Sequence, residues 1–479
     1  MAIYSYNKAA RQDALPPGTV LKWVNLAQQV NHMPSLPPVA PGQRLEVTLL
    51  SLAAGGEAVA RCEGYTLFVP FAAPGDRAEV EVASVGRRFG RARLLRVVAP
   101  GPDRVGPSCP GFGDCGGCQF QHLAYPAQLA AKQAFVEDAL RRLAKLQVPV
   151  AATLPSRPHW HYRNATEFTA TPAPQGLAFG CMRYHSHEVL PIDKCAISHA
   201  ATNNAMRTAR ELLRGRCANL APAVAGLTVR VSEASGQALV ILHLSRPEGD
   251  LAVAFARALM AELPTVAGVL ATGERSYLPR PAPMQLLHGR GYLEHQLGTY
   301  RYRVSASSFF QVNTGMAARL AEVVQALAQP QPGELVLDAY AGVGTLSLPL
   351  GSSTGRVALI EQVHAALVDA RRNLRPAVPE VAVHQGRVES RLPALARGGA
   401  RADLVVLDPP RRGCPEVVLR SAAALRARAI VLVSCDPATF ARDLALLTAL
   451  GYPPVSVTPL DMFPQTWHVE AVALCRQEQ

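Results

Sequence analysis

No apolar run in this sequence reaches the length of a membrane-spanning helix. Hydrophobic residues make up 49% of the 479 positions, but Arg, Gly or Pro interrupts every apolar stretch before about 18 residues. The N-terminus also lacks the charged-then-apolar order of a signal peptide. These absences predict a soluble cytoplasmic protein with no membrane partner, and the apolar content excludes a disordered chain.

Lysine is scarce, so arginine carries most of the positive charge. Of 48 Lys and Arg residues only five are lysine, and the formal net charge is +12. The planar guanidinium suits bidentate contacts with phosphate. This balance favours a polyanionic partner, although charge alone does not identify one.

A disulfide framework is not expected in a cytoplasmic chain. The ten cysteines therefore indicate metal or catalytic roles.

The first 41 residues lack any sustained hydrophobic period. They are rich in Pro, Gln and Asn, so residues 1–41 are predicted to be a mobile leader, with the functional start at Met1, at Met33 or between them. Residues 42–100 instead alternate short β-type runs with glycine-bearing turns, at 44–50, 57–61, 66–71, 78–85 and 92–98. Five such strands at short spacing predict a small β-barrel.

A basic segment follows the fourth of these strands. Arg87, Arg88, Arg91 and Arg93 surround Phe89, a composition suited to backbone charge combined with base stacking. A solvated basic hairpin is an equally good interpretation.

Three cysteines then recur at spacings of six and three. Cys109, Cys115 and Cys118 are separated mostly by glycines, whose tight turns let three sulfurs converge on one point. Zinc and an iron–sulfur cluster both need a fourth ligand, and the candidates are Cys181 and Cys195. The spacing therefore predicts a metal site of either kind.

Residues 101–304 mix helical and strand patterns and predict an α+β domain. Helices are expected over 123–146 and near 201–214, and strands over 227–231 and 238–242. No second metal site is predicted at the nearby histidines, because carboxylate or cysteine ligands do not accompany them at suitable spacing. These histidines are His159, His161, His185 and His187.

From residue 305 to 479, strands and helices alternate. A buried strand ending at Asp338 runs into a glycine loop over 339–345, and a second strand ends at Glu361, 23 positions after Asp338. The loop lets backbone approach a ligand at a helix N-terminus, and the acid can bind ribose hydroxyls. Ser347 replaces the last glycine of the dinucleotide fingerprint, so S-adenosylmethionine fits better than NAD.

Two later strands of this domain end in reactive side chains. The strand over 403–407 leads to Asp408, and the apolar run over 431–434 leads to Cys435. The carboxyl ends of parallel strands meet at one edge of a sheet, where ligands bind. Asp338, Glu361, Asp408 and Cys435 are therefore expected to lie together, which favours a functional thiol over a packing cysteine.

These motifs together resemble the RNA uracil-C5-methyltransferase family. The resemblance lies in residues 338–345, 408–411, 434–439 and 467–470 and covers about residues 43–475. The barrel and the cysteine motif are similar to the iron–sulfur branch that methylates 23S ribosomal RNA and carries an N-terminal TRAM domain. The resemblance implies an OB-like TRAM barrel, a central α+β domain with a 4Fe-4S cluster, and a C-terminal Rossmann-like methyltransferase domain that uses S-adenosylmethionine. It also selects Cys195 over Cys181 as the fourth cluster ligand.

The chemistry of uracil gives a separate reason for a thiol at this edge. C5 is too poor a nucleophile to accept a methyl group until a thiolate adds at C6, and Cys435 is the candidate thiolate. A base must then remove the C5 proton, and the resemblance assigns that role to Glu470. From its local pattern alone, Glu470 is more simply a paired structural carboxylate.

The resemblance implies further contacts for the cofactor and the target base. Gln311 would meet both, Phe309 would stack on the flipped uracil, and Asp408 would contact the cofactor or the uracil edge. Tyr340, Thr345 and Glu361 would complete the cofactor site. The chain departs from the family at Ala339, Ala341 and Arg387, and Arg387 is given no role.

Alternative functions remain open. An exocyclic-amine methyltransferase shares the Asp-Pro-Pro motif but needs an aromatic residue after the prolines, where Arg411 and Arg412 stand. The same uracil methylation on transfer RNA and a non-catalytic RNA-binding protein with a structural cluster are further possibilities. A monomer is expected, because the chain has its own RNA-binding barrel.

Overall fold

The computed structural model describes residues 37–273 and 284–478, which form a closed barrel, two seven-stranded sheets and a hairpin. The leader predicted over residues 1–41 therefore lies almost entirely outside the described residues. In the described ranges, no helix is both long and apolar enough to cross a membrane.

The N-terminal unit is a five-stranded barrel with the strand order β1-β2-β3-β5-β4. In the third strand Tyr65, Leu67 and Val69 alternate with less buried residues, so one side chain in two enters the barrel core. The barrel predicted from the sequence is confirmed. Its strands are β1 (Arg44–Leu52), β2 (Ala58–Cys62), β3 (Tyr65–Val69), β4 (Arg77–Val85) and β5 (Phe89–Ala99).

The next helix, α1 (Tyr125–Ala139), is shorter than the pattern over 123–146 suggests. It passes into a single wide helical turn, Leu140–Ala144. Val136 and Leu140 do not pack within the central domain but join the apolar core of the C-terminal sheet. The helix therefore ties the central part of the chain to the C-terminal part.

The central sheet has the order β12-β11-β10-β9-β6-β7-β8 and is covered by two helices. Ala205, Met206, Ala209, Leu212 and Leu213 recur at helical spacing and form the face of the first helix that packs on the sheet. The elements are β6 (Ala165–Ala173), β7 (Gly176–Met182), β8 (Val189–Pro191), α2 (Ala200–Arg214), a 3-10 turn (Ala218–Ala223), β9 (Val224–Val231), β10 (Ala238–Leu244), α3 (Gly249–Glu262), β11 (Val266–Gly273) and β12 (Met284–Gly289).

A hairpin and a helix lead into the C-terminal sheet, whose order is β17-β16-β15-β18-β19-β21-β20. The elements are β13 (Tyr292–Leu297), β14 (Tyr300–Ser305), α4 (Thr314–Ala328), β15 (Leu335–Ala339), α5 (Ser347–Thr354), β16 (Arg356–Glu361), α6 (His364–Leu374), β17 (Glu380–Gln385), α7 (Val388–Arg397), β18 (Leu404–Leu407), α8 (Glu416–Ala424), β19 (Ala429–Ser434), α9 (Pro437–Ala449), β20 (Pro454–Leu460) and β21 (Glu470–Arg476).

Strands β15 to β19 are parallel, whereas β21 runs antiparallel to both of its neighbours. Both faces of the sheet are covered: Val431 and Val433 enter one core, and Ile430 and Leu432 enter the other. This explains the continuous apolar runs in the sequence. All parallel strands consequently deliver their following residues to one edge.

Candidate active site

Cys435 lies in a tight connection between a buried strand and a helix. All six residues of β19 are buried, and α9 begins two residues after the cysteine. The Asp436 carboxylate caps that helix, accepting the N–H groups of Ala438 at 3.0 Å and Thr439 at 2.9 Å. The half-buried thiol is thus held by the sheet on one side and by the helix cap on the other.

Glu470 is the first residue of the strand beside β19. Ser434 pairs with Ala471 in the antiparallel register, so the next pair along the strands sets Cys435 beside Glu470. Glu470 is only 3% exposed. Sequence position alone, 35 residues apart, did not reveal this juxtaposition.

Burial raises the pKa of Cys435, of Glu470 and of their neighbour Asp408. The pKa of Cys435 rises to about 12, with the charge of Glu470 adding to burial. The pKa of Glu470 is well above its ordinary value, because of burial and then Asp408, and burial raises the pKa of Asp408 to about 7. The site therefore retains protons unless a positive charge compensates them.

Arg411 supplies such a positive charge. Its guanidinium lowers the pKa of both Cys435 and Glu470, opposing the effect of burial. The loop after β18 presents it, and the Thr439 hydroxyl donates to its carbonyl oxygen at 3.2 Å. Arg411 belongs to the motif 408–411 that carries the family resemblance and was used to reject an alternative, but no role in the reaction was predicted for it.

His468 holds the Arg411 side chain. Arg411 Nη2 lies 3.1 Å from His468 Nε2. Burial and then Arg411 lower the pKa of His468 to about 3, so its neutral ring accepts this hydrogen bond. The ring is packed by Trp467, with ring centroids 4.2 Å apart, and by Phe463. His468 stands in the motif 467–470, but no role was predicted for it.

The predicted cofactor loop follows β15 and is held by Glu361. One Glu361 carboxylate oxygen accepts the Gly342 N–H at 3.0 Å, and the other accepts the Val363 N–H at 2.7 Å. Gly344 has φ +85°, and a Cβ there would lie 2.6 Å from Leu374 Cδ1. Only glycine therefore fits this turn.

Asp338 lies beneath this loop and accepts a hydrogen bond from Ser347. Burial raises the pKa of Asp338 to about 7, and Asp408 and Glu361 add to that rise. The three acids from neighbouring strand ends thus interact, as expected from the parallel pattern.

The hydroxyl of Tyr340 is buried and has no hydrogen-bond partner among the residues that the structure describes. Thr345, in the same loop, is half-buried, and its carbonyl accepts the Tyr302 hydroxyl at 3.1 Å. An orphaned buried hydroxyl beside a glycine cradle fits a polar ligand that completes the site. These features suit an adenosine-containing cofactor.

Phe309 and Gln311 lie on the separate loop between β14 and α4. The ring of Phe309 is 69% exposed, which is unusual for a large apolar side chain, whereas Phe310 is buried against His295. Gln311 is buried, and its carbonyl accepts the Asn164 amide at 3.0 Å. The exposed ring is available to stack on a base.

The predicted cluster cysteines lie close to one another. Burial raises the pKa of Cys118 to about 12, with smaller contributions from Cys195, Cys115 and Cys109. However, within residues 37–273 and 284–478 no group of three or more His, Cys, Asp or Glu side chains is arranged to hold a metal ion.

Cys181, set aside at the sequence level, also reaches this group. A hydrogen bond from Cys181 lowers the pKa of Cys115 to about 6. The donor chemistry suits a metal, but the observed arrangement of the sulfurs does not form a metal site.

Most arginines on the barrel surface are already paired. Arg91 binds Glu57, Arg93 binds Glu81 and Arg96 binds Glu79, with nitrogen–oxygen distances of 3.0, 3.1 and 2.7 Å. In the described part of the barrel, no ion pair engages Arg87 or Arg88. Arg87 and Arg88, at the tip of the basic segment, are therefore available to bind a phosphate. They lie next to the exposed ring of Phe89.

Comparisons with known proteins cover nearly the whole chain. The profile of the tRNA (uracil-5-)-methyltransferase family matches residues 124–478, and the TRAM-domain profile matches residues 38–95. An uncharacterized RNA methyltransferase of Halalkalibacterium halodurans is 34% identical over 447 residues, spanning 91% of this chain and 98% of that protein. Another, from Gloeobacter violaceus, is 35% identical over 453 residues, with coverage of 91% and 98%.

A solved structure has the same fold. The Pyrococcus abyssi tRNA (uracil-54, C5)-methyltransferase in complex with S-adenosyl-L-homocysteine superposes with a TM-score of 0.68, covering 90% of this chain and 100% of that one. At 23% sequence identity, this likeness shows the shared fold alone.

Proposed function

The chain belongs to the tRNA (uracil-5-)-methyltransferase family, and from that premise we propose that it methylates C5 of a uridine in RNA through a covalent adduct with Cys435. Membership, together with the TRAM domain, makes it an RNA methyltransferase that uses S-adenosylmethionine. The observation that carries the covalent mechanism is the pairing of β19 with β21, which brings a thiol and a carboxyl group side by side.

Cys435 is the proposed nucleophile. Its thiolate adds to C6 of the uracil ring, forming a sulfur–carbon bond and moving negative charge onto C5 and O4. Because burial raises its pKa to about 12, the thiol needs help to ionise, and the Arg411 guanidinium supplies favourable charge. When bound, S-adenosylmethionine would supply an electrophilic methyl group to C5, with S-adenosylhomocysteine as the leaving group.

Glu470 is the proposed base. After methyl transfer C5 carries both the methyl group and its original proton, and removal of that proton lets the sulfur–C6 bond break and release the thiolate. A carboxylate with a raised pKa is a stronger base than an exposed one, and Glu470 has such a pKa. This property supports the base role over a purely structural one.

RNA containing 5-fluorouridine tests this mechanism, because a base cannot remove the fluorine at C5 as it removes the proton. The covalent adduct with the protein then cannot break down. With the cofactor present, the wild-type protein should become covalently linked to this RNA, and Cys435→Ala should not. An equal yield of linked RNA from Cys435→Ala would exclude Cys435 as the nucleophile.

We propose the following residues for the sites that bind the cofactor and the target uracil. Tyr340, Thr345, Glu361 and Asp408 would bind the cofactor, Phe309 would stack on the uracil, and Gln311 and Asp408 would contact both ligands. The orphaned Tyr340 hydroxyl and the exposed Phe309 ring support these assignments.

We further propose a 4Fe-4S cluster held by Cys109, Cys115, Cys118 and Cys195. The support is the proximity of four thiols that influence one another. The sulfurs would have to rearrange, with Cys115 leaving Cys181. Iron and sulfide in anaerobically purified protein, lost in Cys118→Ser and retained in Cys181→Ser, are the expected results. Stoichiometric zinc without iron would refute the cluster.

The proposed substrate is 23S ribosomal RNA, on the resemblance of the cysteine motif. Mapping of 5-methyluridine in RNA from cells lacking the gene tests this. Loss of the modification from 23S RNA is the expected result, whereas loss from transfer RNA alone would identify the alternative substrate.

A further inference from the structure

The connection between β20 and β21, residues 461–469, accepts many of its hydrogen bonds from distant parts of the chain. We call it the base loop, because Glu470 follows it directly. Four consecutive carbonyl oxygens of the base loop accept hydrogen bonds from outside it. The donors are Asn313 Nδ2 to Met462 at 3.2 Å, Lys132 Nζ to Phe463 at 3.0 Å, the Tyr162 hydroxyl to Pro464 at 3.0 Å, and the Gln119 and Phe120 N–H groups to Gln465 at 3.1 and 2.9 Å.

Helix α1 also binds two residues of the base loop, Gln465 and Asp461. Gln128 and Gln465 exchange hydrogen bonds, with Gln128 Nε2 donating to Gln465 Oε1 and Gln465 N–H donating to Gln128 Oε1, each at 3.0 Å. One turn further along, the ammonium of Lys132 binds the carboxylate of Asp461.

Both members of this ion pair have fully buried side chains. Tyr125 donates to the second Asp461 oxygen at 2.7 Å. A buried ion pair adds little net stability compared with apolar packing, but its geometry is demanding. Such a pair therefore fixes the position of the base loop more than it strengthens the fold.

The position of the base loop determines where His468 lies relative to Arg411. It carries His468, whose ring accepts the hydrogen bond from Arg411. Arg411 in turn is the cation that acts on Glu470 and Cys435. Contacts therefore run from α1 through the base loop to the guanidinium at the reacting centre.

Cys435 is held in a different way. Its strand is paired with β18 and β21, and its helix is capped by Asp436. Helix α1 meets that helix through apolar side chains such as Val136, whereas its polar Gln128 and Lys132 bind the base loop. A substitution at Gln128 should therefore act mainly on the side of Glu470 and Arg411.

We propose that α1 is a positioning element for the proton-abstraction step, acting through Gln128 and Lys132 on the base loop and through His468 on Arg411. The inference rests on the proposed function. It assigns the central domain a part in catalysis that neither the family profile nor the sequence motifs indicate, because Gln128 and Lys132 touch no reacting atom. They are positioning residues.

The full-length variant Gln128→Leu separates this role from a structural one. Gln133→Leu is the matched control, because Gln133 lies on the same helix and, among the described residues, its side chain bonds to Glu137 of that helix alone. Each protein is assayed for adduct formation on 5-fluorouridine RNA, which does not need the base, and for turnover on uridine RNA, which does.

For Gln128→Leu, turnover should fall about tenfold because both Glu470 and Arg411 are displaced, whereas adduct formation, which loses only the help of Arg411 to Cys435, should fall clearly less, by about threefold or under. Protein linked to uridine RNA should accumulate, and the acidic limb of the turnover profile should move to higher pH. Gln133→Leu should match wild type in both assays. A loss of the same factor in adduct formation and turnover would overturn the inference.

A second pair of variants keeps the test decisive if Gln128→Leu does not fold. His468→Gln retains an acceptor for Arg411, whereas His468→Leu does not. The expected result in His468→Leu is a loss of turnover that exceeds the loss of adduct formation, with recovery of both in His468→Gln. Equal behaviour of the two variants would refute the positioning role. If the wild-type protein forms no adduct, the proposed chemistry itself fails, and the inference fails with it.

Discussion

The guanidinium of Arg230 lies 2.7 Å from the carbonyl oxygen of Ser308, one residue before the exposed ring of Phe309. The same guanidinium binds the carbonyls of Ser305 and Ala306 at 3.2 and 2.8 Å. From the opposite side the Asp369 carboxylate accepts the Ser305 N–H at 2.7 Å. The central sheet and a helix of the methyltransferase domain thus fix the turn that presents Phe309.

Arg230→Lys should weaken catalysis on RNA, because the shorter lysine side chain cannot bring its ammonium to the position of Arg230 Nη1, the nitrogen that contacts all three carbonyls. We expect kcat/KM for RNA to fall about tenfold, with little change in cofactor affinity. Arg301→Met, on the exposed neighbouring hairpin, is the control. Equal losses of RNA turnover and cofactor affinity would argue against a role confined to the Phe309 turn.

Glu470→Gln should stall the reaction after methyl transfer. The amide has similar shape but cannot accept the C5 proton, so RNA-linked protein should build up and turnover should fall by about 100-fold or more. Denaturing gels with uridine RNA and labelled cofactor measure both quantities. Rapid release of methylated RNA, as in the wild type, would show that another group is the base.

Asp408 should make the ligand-free protein less stable as the pH rises. Its folded-state pKa is about 7 against an ordinary 3.8, so between these values the folded protein keeps a proton that the unfolded chain has released. The free energy of unfolding therefore falls with increasing pH across this window, and the penalty is complete above about pH 7.

Asp408→Asn isolates this effect. Buried histidines with lowered pKa values, such as His122 and His468, have the opposite dependence, but they are the same in both proteins. The Tm of the wild type minus that of the variant should fall by about 3 °C or more between about pH 5 and about pH 8. A difference in Tm between the two proteins that stays constant with pH would contradict the raised pKa of Asp408.

Gly344→Ala should lower cofactor affinity. The new Cβ would lie 2.6 Å from Leu374 Cδ1 at a residue with φ +85°, so the loop must shift. We expect affinity for S-adenosylhomocysteine, measured by calorimetry, to fall about tenfold or more. Gly342→Ala is the matched control, since its Cβ would meet no atom within 4 Å and only its φ of +56° is unfavourable. A larger loss in Gly342→Ala would reverse this ranking.

Replacing Arg87 and Arg88 by alanine should weaken RNA binding and reduce its salt dependence. Each unpaired guanidinium can neutralise about one phosphate, so the slope of log K against log salt should fall by about two. Arg93→Ala/Arg96→Ala is the comparison, because those side chains already bind Glu81 and Glu79. If both double variants lose the same slope, the unpaired tip has no special part in binding.

Local pattern was enough to predict the barrel and the strand ends that carry Asp338, Glu361 and Asp408. Parallel buried strands leave continuous apolar runs, and their carboxyl ends must share an edge. Side-chain pairs distant in sequence were not predictable, because a glutamine such as Gln128 in an apolar helix has no visible partner. Gln465 is 337 residues away. Spacing offered both Cys181 and Cys195 as partners of the cysteine motif, and the resemblance selected Cys195, although Cys181 is the one that bonds to Cys115.

The long separation between Lys132 and Asp461 has a consequence for synthesis on the ribosome. Helix α1 emerges 329 residues before the carboxylate that neutralises its buried ammonium. Until then Lys132 must remain hydrated, because an unpaired ammonium in an apolar site costs several kcal/mol. Helix α1 therefore cannot be buried in its native place until Asp461 has been made, and the last strands of the chain complete the packing of one of its early helices.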